Sequence, residues 1–361
     1  MTGSPQFRRW WRATASGALA AAGVASGAAC AGVQSSLDTR GPAAASIARL
    51  WWVLFGLGTA SFVAVCVLLA LALRRGRRRV REGGAALGVS SGAPSEAPSG
   101  GGGPESSLGR RLVTWGGVVV PLLVLLVVVV ASVATGAALR APRGARADAL
   151  TVQVVAHQFW WEVRYPHLGV VTANELHIPA GRPVRVQVTT EDVIHSFWVP
   201  NLHGKVDMLP GRTNQLWLQA DSAGRFRGQC AEFCGTQHTM MGMHVVAHDS
   251  AAFVAWAARE RAPAPSPADP LLLRGQQVFL GSACVYCHAV RGTNASSRLG
   301  PDLTHLAARA TLGAAVVPNT PGNLAAWIVD PQALKPGNKM PPSNIAGPEL
   351  QALVAYLESL R

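Results

Sequence analysis

The sequence predicts a multidomain membrane protein, in which a two-helix transmembrane hairpin is followed by an all-β domain and then an all-α domain. Three observations predict it. Two uncharged apolar runs lie within the first 140 positions, a stretch with period-two alternation comes next, and helical periodicity takes over after a segment rich in Pro and Ala.

The composition bounds the function classes. Nearly half of the 361 residues are hydrophobic and only 14% are charged, an excess concentrated in the two apolar runs. The formal net charge of +13 does not indicate a nucleic-acid partner. Eight of the arginines lie at 74–81 and 110–111, between the apolar runs, where membrane topology accounts for them. The interleaved aromatic and basic residues of a single-strand binder are absent.

Residues 1–29 read as a secretory signal peptide, with Arg8, Arg9 and Arg12 before a small apolar stretch. Cys30 then stands where a lipid-modified first residue could stand, or is an incidental cysteine. Residues 30–140 form the hairpin. Its spans are expected at about 50–73 and 112–139, since about 20 apolar residues cross a hydrocarbon core as a helix, and Pro121 is a tolerated kink. Between them, 83–109 is Gly, Ser and Pro rich and reads as a flexible loop. The flanking arginines put that loop in the cytoplasm and everything after residue 140 on the outer face, against the weaker opposing vote of Arg140, Arg143 and Arg146. The expected location is a bacterial cell membrane or inner membrane, with lipid around both spans.

From 147 to 255 the alternation in Val184–Val188 and in Leu216–Leu218, broken by turns at Pro179–Gly181 and Pro210–Gly211, predicts a small antiparallel sandwich or barrel. Residues 256–269 are expected to form a stiff Pro and Ala linker. The remainder, 270–361, reads as helical and closes on a helix opened by Pro348, with Leu350, Leu353, Val354, Leu357 and Leu360 on one face.

Four of the six cysteines fall in two tight pairs, each followed by histidine. Cys66, inside an apolar run, reads as a small buried hydrophobe. The densest chemistry is GQCAEFCGTQHTMMG, which places Cys230, Cys234, His238 and Met240 or Met241 in one loop. Thiolate, thioether and imidazole donors select copper or zinc over magnesium or calcium. A structural zinc site and a Cys230–Cys234 disulfide are the alternatives, but zinc fingers favour a shorter Cys spacing and use no methionine. His157, His177, His203, His244 and His248 read as surface or hydrogen-bonded residues.

The run from Cys230 to Met241 resembles the dinuclear copper loop of cytochrome c oxidase subunit II. Asp192–Pro200 (DVIHSFWVP) resembles the family's first ligand strand, and Lys205–Arg212 (KVDMLPGR) its interface segment. The likeness covers about 30–250. It implies a cupredoxin-like Greek-key domain in which Cys230 and Cys234 bridge two copper ions (CuA). His195 and His238 would be terminal ligands, and Met241 and the Glu232 carbonyl would fill the weaker positions. The family also implies that the Glu232 side chain reaches a magnesium ion shared with the catalytic subunit. Asp192, Asp207 and the aromatic cluster Phe159, Trp160 and Trp161 would serve interface or electron entry.

Cys284-Val-Tyr-Cys287-His288 is a haem c attachment sequence: two thiols bond the porphyrin and the histidine takes one axial position on iron. Met340, in Lys339-Met-Pro-Pro342, is the expected sixth ligand, with His305 as the competitor; methionine with histidine raises the reduction potential. The segment from about 269 to 361 resembles a class I cytochrome c domain. The resemblance implies that the Pro301 carbonyl orients the His288 ring.

Two positions depart from the subunit II pattern. Phe159 stands where a tryptophan is usual, and Leu112 stands where a glutamate commonly precedes the tryptophan of the second span, so a proton-entry role does not carry over. Together the resemblances imply subunit II of a caa3-type oxidase, a haem-copper enzyme component with no oxygen-reducing site or catalytic residue of its own. Its expected partners are subunit I, further oxidase subunits, and a donor such as a cytochrome c or a quinol-oxidising complex. A membrane-tethered electron carrier, or the electron-entry subunit of a CuA-containing nitric oxide reductase, would use the same residues.

Overall fold

The structure is a computed structural model and describes residues 32–86, 107–140 and 148–361. The expected signal peptide, Cys30 and most of the loop at 83–109 lie outside the described residues.

Ala48–Ala137 form one compact unit. Helix α1 (Pro42–Ala86) runs past both ends of the expected first span. Its polar continuation reaches the arginine-rich stretch, where Lys and Arg-type side chains are good helix formers. The second span is built of α2 (Ser107–Thr114), a π-helical turn over Trp115–Val119, and α3 (Val120–Arg140). Pro121, two residues beyond the π turn, lacks the N–H that a regular helix interior would use, and locally widened turns are a known accommodation. Two stretches, Pro42–Arg78 and Gly109–Arg140, are long and apolar enough to cross a membrane. Cys66 is exposed on the first of them rather than packed in a protein core.

The other unit takes in the residues up to Ile47 and Ala138–Arg361. Ten strands make its β-sandwich: β1 (Thr151–His157), β2 (Trp160–Tyr165), β3 (Val170–Ala173), β4 (Glu175–Pro179), β5 (Val184–Thr190), β6 (His195–Trp198), β7 (Val206–Met208), β8 (Asn214–Leu218), β9 (Gly224–Cys230) and β10 (Gly242–His248). One sheet has the order β3-β2-β1-β5-β8 and the other β4-β10-β9-β6-β7. The pairs β1/β5 and β4/β10 are parallel. The sandwich is therefore mixed; alternation reports which face is buried and is blind to strand direction. In β5 the alternation is complete, with Val184, Val186 and Val188 buried and Arg185 and Gln187 half-exposed.

The segment before α1 and the first turn of α1 are stitched to this sandwich. Arg40 N–H donates to Asn201 O, Ala44 N–H to Leu202 O, and Asp221 N–H to Arg40 O.

Helix α4 (Ser250–Arg261) comes after β10, capped by Asp249, whose carboxylate accepts from Ala252 N–H. Its Phe253 and Trp256 are buried in the sandwich core, so the extended Pro and Ala segment starts at 262, later than the expected 256. That segment is fastened to the C-terminal domain: Ala264 N–H donates to Arg291 O, and Ala264 is buried.

The C-terminal domain packs α5 (Pro270–Gly281) against α8 (Gly347–Ser359), with α6 (Pro321–Val329) and the short α7 (Pro331–Leu334) completing the shell. Asp269, Thr320 and Asp330 cap α5, α6 and α7, each giving a side-chain acceptor to otherwise unpaired N–H groups. Phe279, Leu353, Tyr356 and Leu357 are the centre of a separate apolar core. Between α5 and α8 the backbones touch: a Cβ on Gly275 would lie 2.0 Å from Ala352 O.

Candidate metal and haem centres

The first centre is assembled by the edge of one sheet and the loop after β9. β6 ends its partner register with Phe197 opposite Cys230, so His195 and Cys230 share one corner of the sheet. His195 is fully buried, and its Nδ1 lies 3.8 Å from Cys230 Sγ. Cys230 Sγ and Cys234 Sγ are 3.8 Å apart, far beyond the ~2.05 Å of a disulfide. Cys234 Sγ lies 3.8 Å from His238 Nδ1 and 3.9 Å from Met241 Sδ, and Cys230 Sγ lies 3.1 Å from Glu232 O. All six expected copper donors are thus gathered; the donor atoms of His195, Cys230 and Cys234 lie within 4.8 Å of one another. Met241 is wholly buried, whereas the competing Met240 is half-buried in the short 3-10 turn His238–Met240.

The electrostatics fit a cation. The neighbouring Cys234 thiol, with help from His195, holds the Cys230 thiol well below its ordinary range, and the same closeness pushes Cys234 far up. Two sulfurs this close cannot both be thiolates without positive charge between them. Asp192 accepts from the His195 ring at 2.8 Å through Nε2, which leaves Nδ1 turned to the sulfurs. Its other oxygen accepts from Gln158 N–H, and Gln158 Nε2 donates to Cys234 O at 2.6 Å.

Trp161 is buried 6.3 Å from the His195 ring, and Phe159 is buried beside it. Trp160 is half-exposed and stacks on His157. Asp207 and Glu232 are exposed and flank Lys205, whose Nζ is 3.6 and 3.5 Å from them. Of the remaining histidines, His177 stacks on Trp256 and bonds His248 at 2.8 Å, and none joins the sulfur cluster.

The second centre lies just after α5. Cys284 lies within the 3-10 turn Ala283–Tyr286 and Cys287 ends it, and His288 N–H donates to Cys284 O. His288 Nδ1 donates to Pro301 O at 2.7 Å, which leaves Nε2 as the free ring donor site. Gly300 makes room for the ring, since a Cβ there would lie 2.7 Å from His288 Cε1. Met340 lies in a loop held by Asn338, which accepts from Met340 N–H, and by Gln332, which donates to Met340 O. His305 has both ring nitrogens engaged, on Arg361 O and Ala262 O, and so has none to offer iron. The cysteines are free thiols, and half-buried Val285, Leu303 and Ile345 pack against the apolar core. Two thiols and one oriented imidazole beside apolar side chains fit a covalent haem.

Residues 168–248 match the family model for "Cytochrome C oxidase subunit II, periplasmic domain", and residues 272–361 match that for "Cytochrome c". The chain thus joins a segment similar to the subunit II periplasmic domain to one similar to cytochrome c. The first implies copper and the second haem. Among the relatives, cytochrome c oxidase subunit 2 of Alkalihalophilus pseudofirmus is 41% identical over 211 residues, covering 58% of this chain and 61% of that protein. Those of Bacillus sp. strain PS3 and Bacillus subtilis are each 34% identical, covering 59% of this chain and 63% of theirs. The chain thus spans about three-fifths of the length of the curated relatives it matches.

Sequence reasoning missed two residues beside the copper-loop donors. Gln158 carries no ligand-like signal, and Asn174, at φ 61°, fixes Trp161 by accepting its backbone N–H. Asp192, expected at an interface, turns its carboxylate to the His195 ring; its place three residues before a ligand-strand histidine is the signal that could have found this role.

Proposed function

We propose that the chain is subunit II of a caa3-type cytochrome c oxidase, passing electrons inward from a covalent haem c through a CuA centre to a catalytic subunit that reduces oxygen and moves protons. The observation that carries this is the gathering, on one chain, of two sulfurs, two imidazoles and a thioether about a common point, beside a domain with an oriented haem histidine. When bound, copper and haem iron each supply reversible one-electron chemistry at little structural cost.

The chain's own residues do the rest. Cys230, Cys234, His195, His238, Met241 and the Glu232 carbonyl would hold the copper ions, and Asp192 would fix the His195 tautomer. The buried sandwich holds these donors so that a change of charge moves them little. Cys284 and Cys287 would anchor the haem, His288 and Met340 would ligate its iron, and Pro301 would hold the His288 ring.

Phe233, next to Glu232 in the copper loop, and Val193 and Ile194, just before His195, are exposed, and Lys205 pairs with both Glu232 and Asp207. Exposed apolar side chains support docking to subunit I there, with a shared magnesium at Glu232. The proposed domains are a signal peptide at 1–29, the hairpin at 30–140, the copper domain from 147 and the haem domain from 270, with the metal domains on the outer face of a bacterial membrane.

Purification from membranes in mild detergent tests the assignment. A large multi-span haem-copper subunit should travel with the chain, and isolation of the chain alone would refute it.

A further inference from the structure

Lys335 is the largest charged side chain among the fully buried residues, at 2% exposed, and neither centre uses it. It closes α7 in the cytochrome c domain, and its Nζ donates at 2.9 Å both to Gly313 O of its own domain and to Phe159 O of the copper domain. Phe159 packs on the copper loop, for a Cβ on Gly235 would lie 3.1 Å from its ring. The preceding Gln158 donates to Cys234 O. One lysine therefore ties the haem domain to the peptide that braces a copper-loop carbonyl.

The turn it holds is unusual. Gly313, Ala314 and Ala315 all have positive φ, of 65°, 66° and 61°, a conformation that costs alanine energy and persists where its surroundings impose it. The turn aims three successive carbonyls at donors: Gly313 O at Lys335, Ala314 O at Gly242 N–H of β10, and Ala315 O at Arg227 of β9. A second tie lies alongside, where Ala310 N–H donates to the buried Glu175 carboxylate. Beyond Lys335 the chain turns through Pro336 and Gly337 before reaching Met340, and a Cβ on Gly337 would lie 3.0 Å from Thr236 Oγ1 of the copper loop.

We infer that Lys335 is a positioning residue: with the Gly313–Ala315 turn it docks the cytochrome c domain in one fixed pose, holding the Met340 segment against the copper loop. The inference rests on the reading of both centres given above. It makes the tethered haem domain a permanently seated donor rather than one that swings on its linker. Either protonation state of the amine has hydrogens for both carbonyls.

The test uses the full chain in detergent, with copper and haem loaded, as wild type and as Lys335→Met, which keeps length and removes the donors. Hydrogen exchange is read at the two amides that donate across the domains, Gly242 and Ala310. Docking by Lys335 predicts at least tenfold faster exchange at both in the variant, with Val245 in β10 and Leu353 in α8 unchanged. In the same samples, electron transfer to copper after photoreduction of the haem should slow at least tenfold and become dependent on solvent viscosity, with both absorption spectra intact. If Lys335→Met fails to accumulate, Lys335→Gln, too short to reach both carbonyls, carries the same expectation. Unchanged exchange and unchanged transfer in whichever variant is measured overturn the inference. Wild type lacking the copper or haem spectrum counts against the function proposed above and leaves the amide measurement to judge the docking by itself.

Discussion

Gly275→Ala should selectively unfold the cytochrome c domain. The added Cβ would lie 2.0 Å from Ala352 O, 2.6 Å from Ala352 C and 2.6 Å from Tyr356 Cβ, so α5 and α8 must part by about 1.4 Å to restore ordinary contact. The obstacle is backbone, which cannot rotate away, and the same interface carries Phe279, Leu353 and Tyr356. Overpacking of this kind costs up to about 3 kcal/mol. For a domain of this size that lowers the melting temperature by up to about 12–24 °C. The assay is thermal unfolding of the full chain monitored at haem absorption, with copper absorption recorded in parallel. Gly281→Ala is the control, because it lies in the same helix with nothing within 4 Å of the new methyl. A haem-domain transition in Gly275→Ala that coincides with that of Gly281→Ala would refute the close-contact reasoning.

Three further outcomes are expected from the site geometry. Gly300→Ala should keep the covalent haem but push the His288 ring off Pro301 O, seen as a changed visible spectrum, because the new methyl would sit 2.7 Å from Cε1. Asp192→Asn should weaken copper binding about 10- to 100-fold in a chelator competition, as loss of a ligand-orienting carboxylate does elsewhere, since it disturbs the bond that fixes the His195 ring. Glu162 and Glu175 are both held at about 2: burial pushes each up, but His157 and Arg164 for the first, and His177, the Ala310 amide and Arg225 for the second, outweigh it. Depressed carboxylates stabilise the fold above their unfolded value near 4.5, and that stability is lost as pH falls from there towards 2, at most about 3 kcal/mol each. Acid titration monitored by tryptophan fluorescence should give a shallower loss for Glu162→Gln and Glu175→Gln; an unchanged slope in both would contradict the pairing.

Much of this architecture was legible because its signals are local. Apolar runs, the β5 alternation and the α8 stripe each report burial of one face within a few residues. The two cysteine motifs were legible because their ligands are close in sequence, and His195 entered through resemblance, since 35 positions separate it from Cys230. The hidden features depend on pairing across long separations. The parallel strand pairs leave no trace in alternation. Gly275 reads as an ordinary helix glycine until α8 is laid against it, and Lys335 reads as a surface lysine until its partner 176 positions away is known. The linker starts later than the expected 256 because Trp256 belongs to the sandwich core, a fact of tertiary packing with no periodic signature.

The central claim is that Cys230 and Cys234 jointly hold two copper ions beside a covalent haem. Electron paramagnetic resonance of the copper-loaded full chain, recorded with its visible spectrum, tests it most directly. Wild type should give one unpaired electron delocalised over two copper nuclei together with a c-type haem spectrum, and Cys230→Ser and Cys234→Ser should each lose the delocalisation with the haem intact. A delocalised signal that survives both substitutions, or a wild-type signal confined to a single copper, would contradict it.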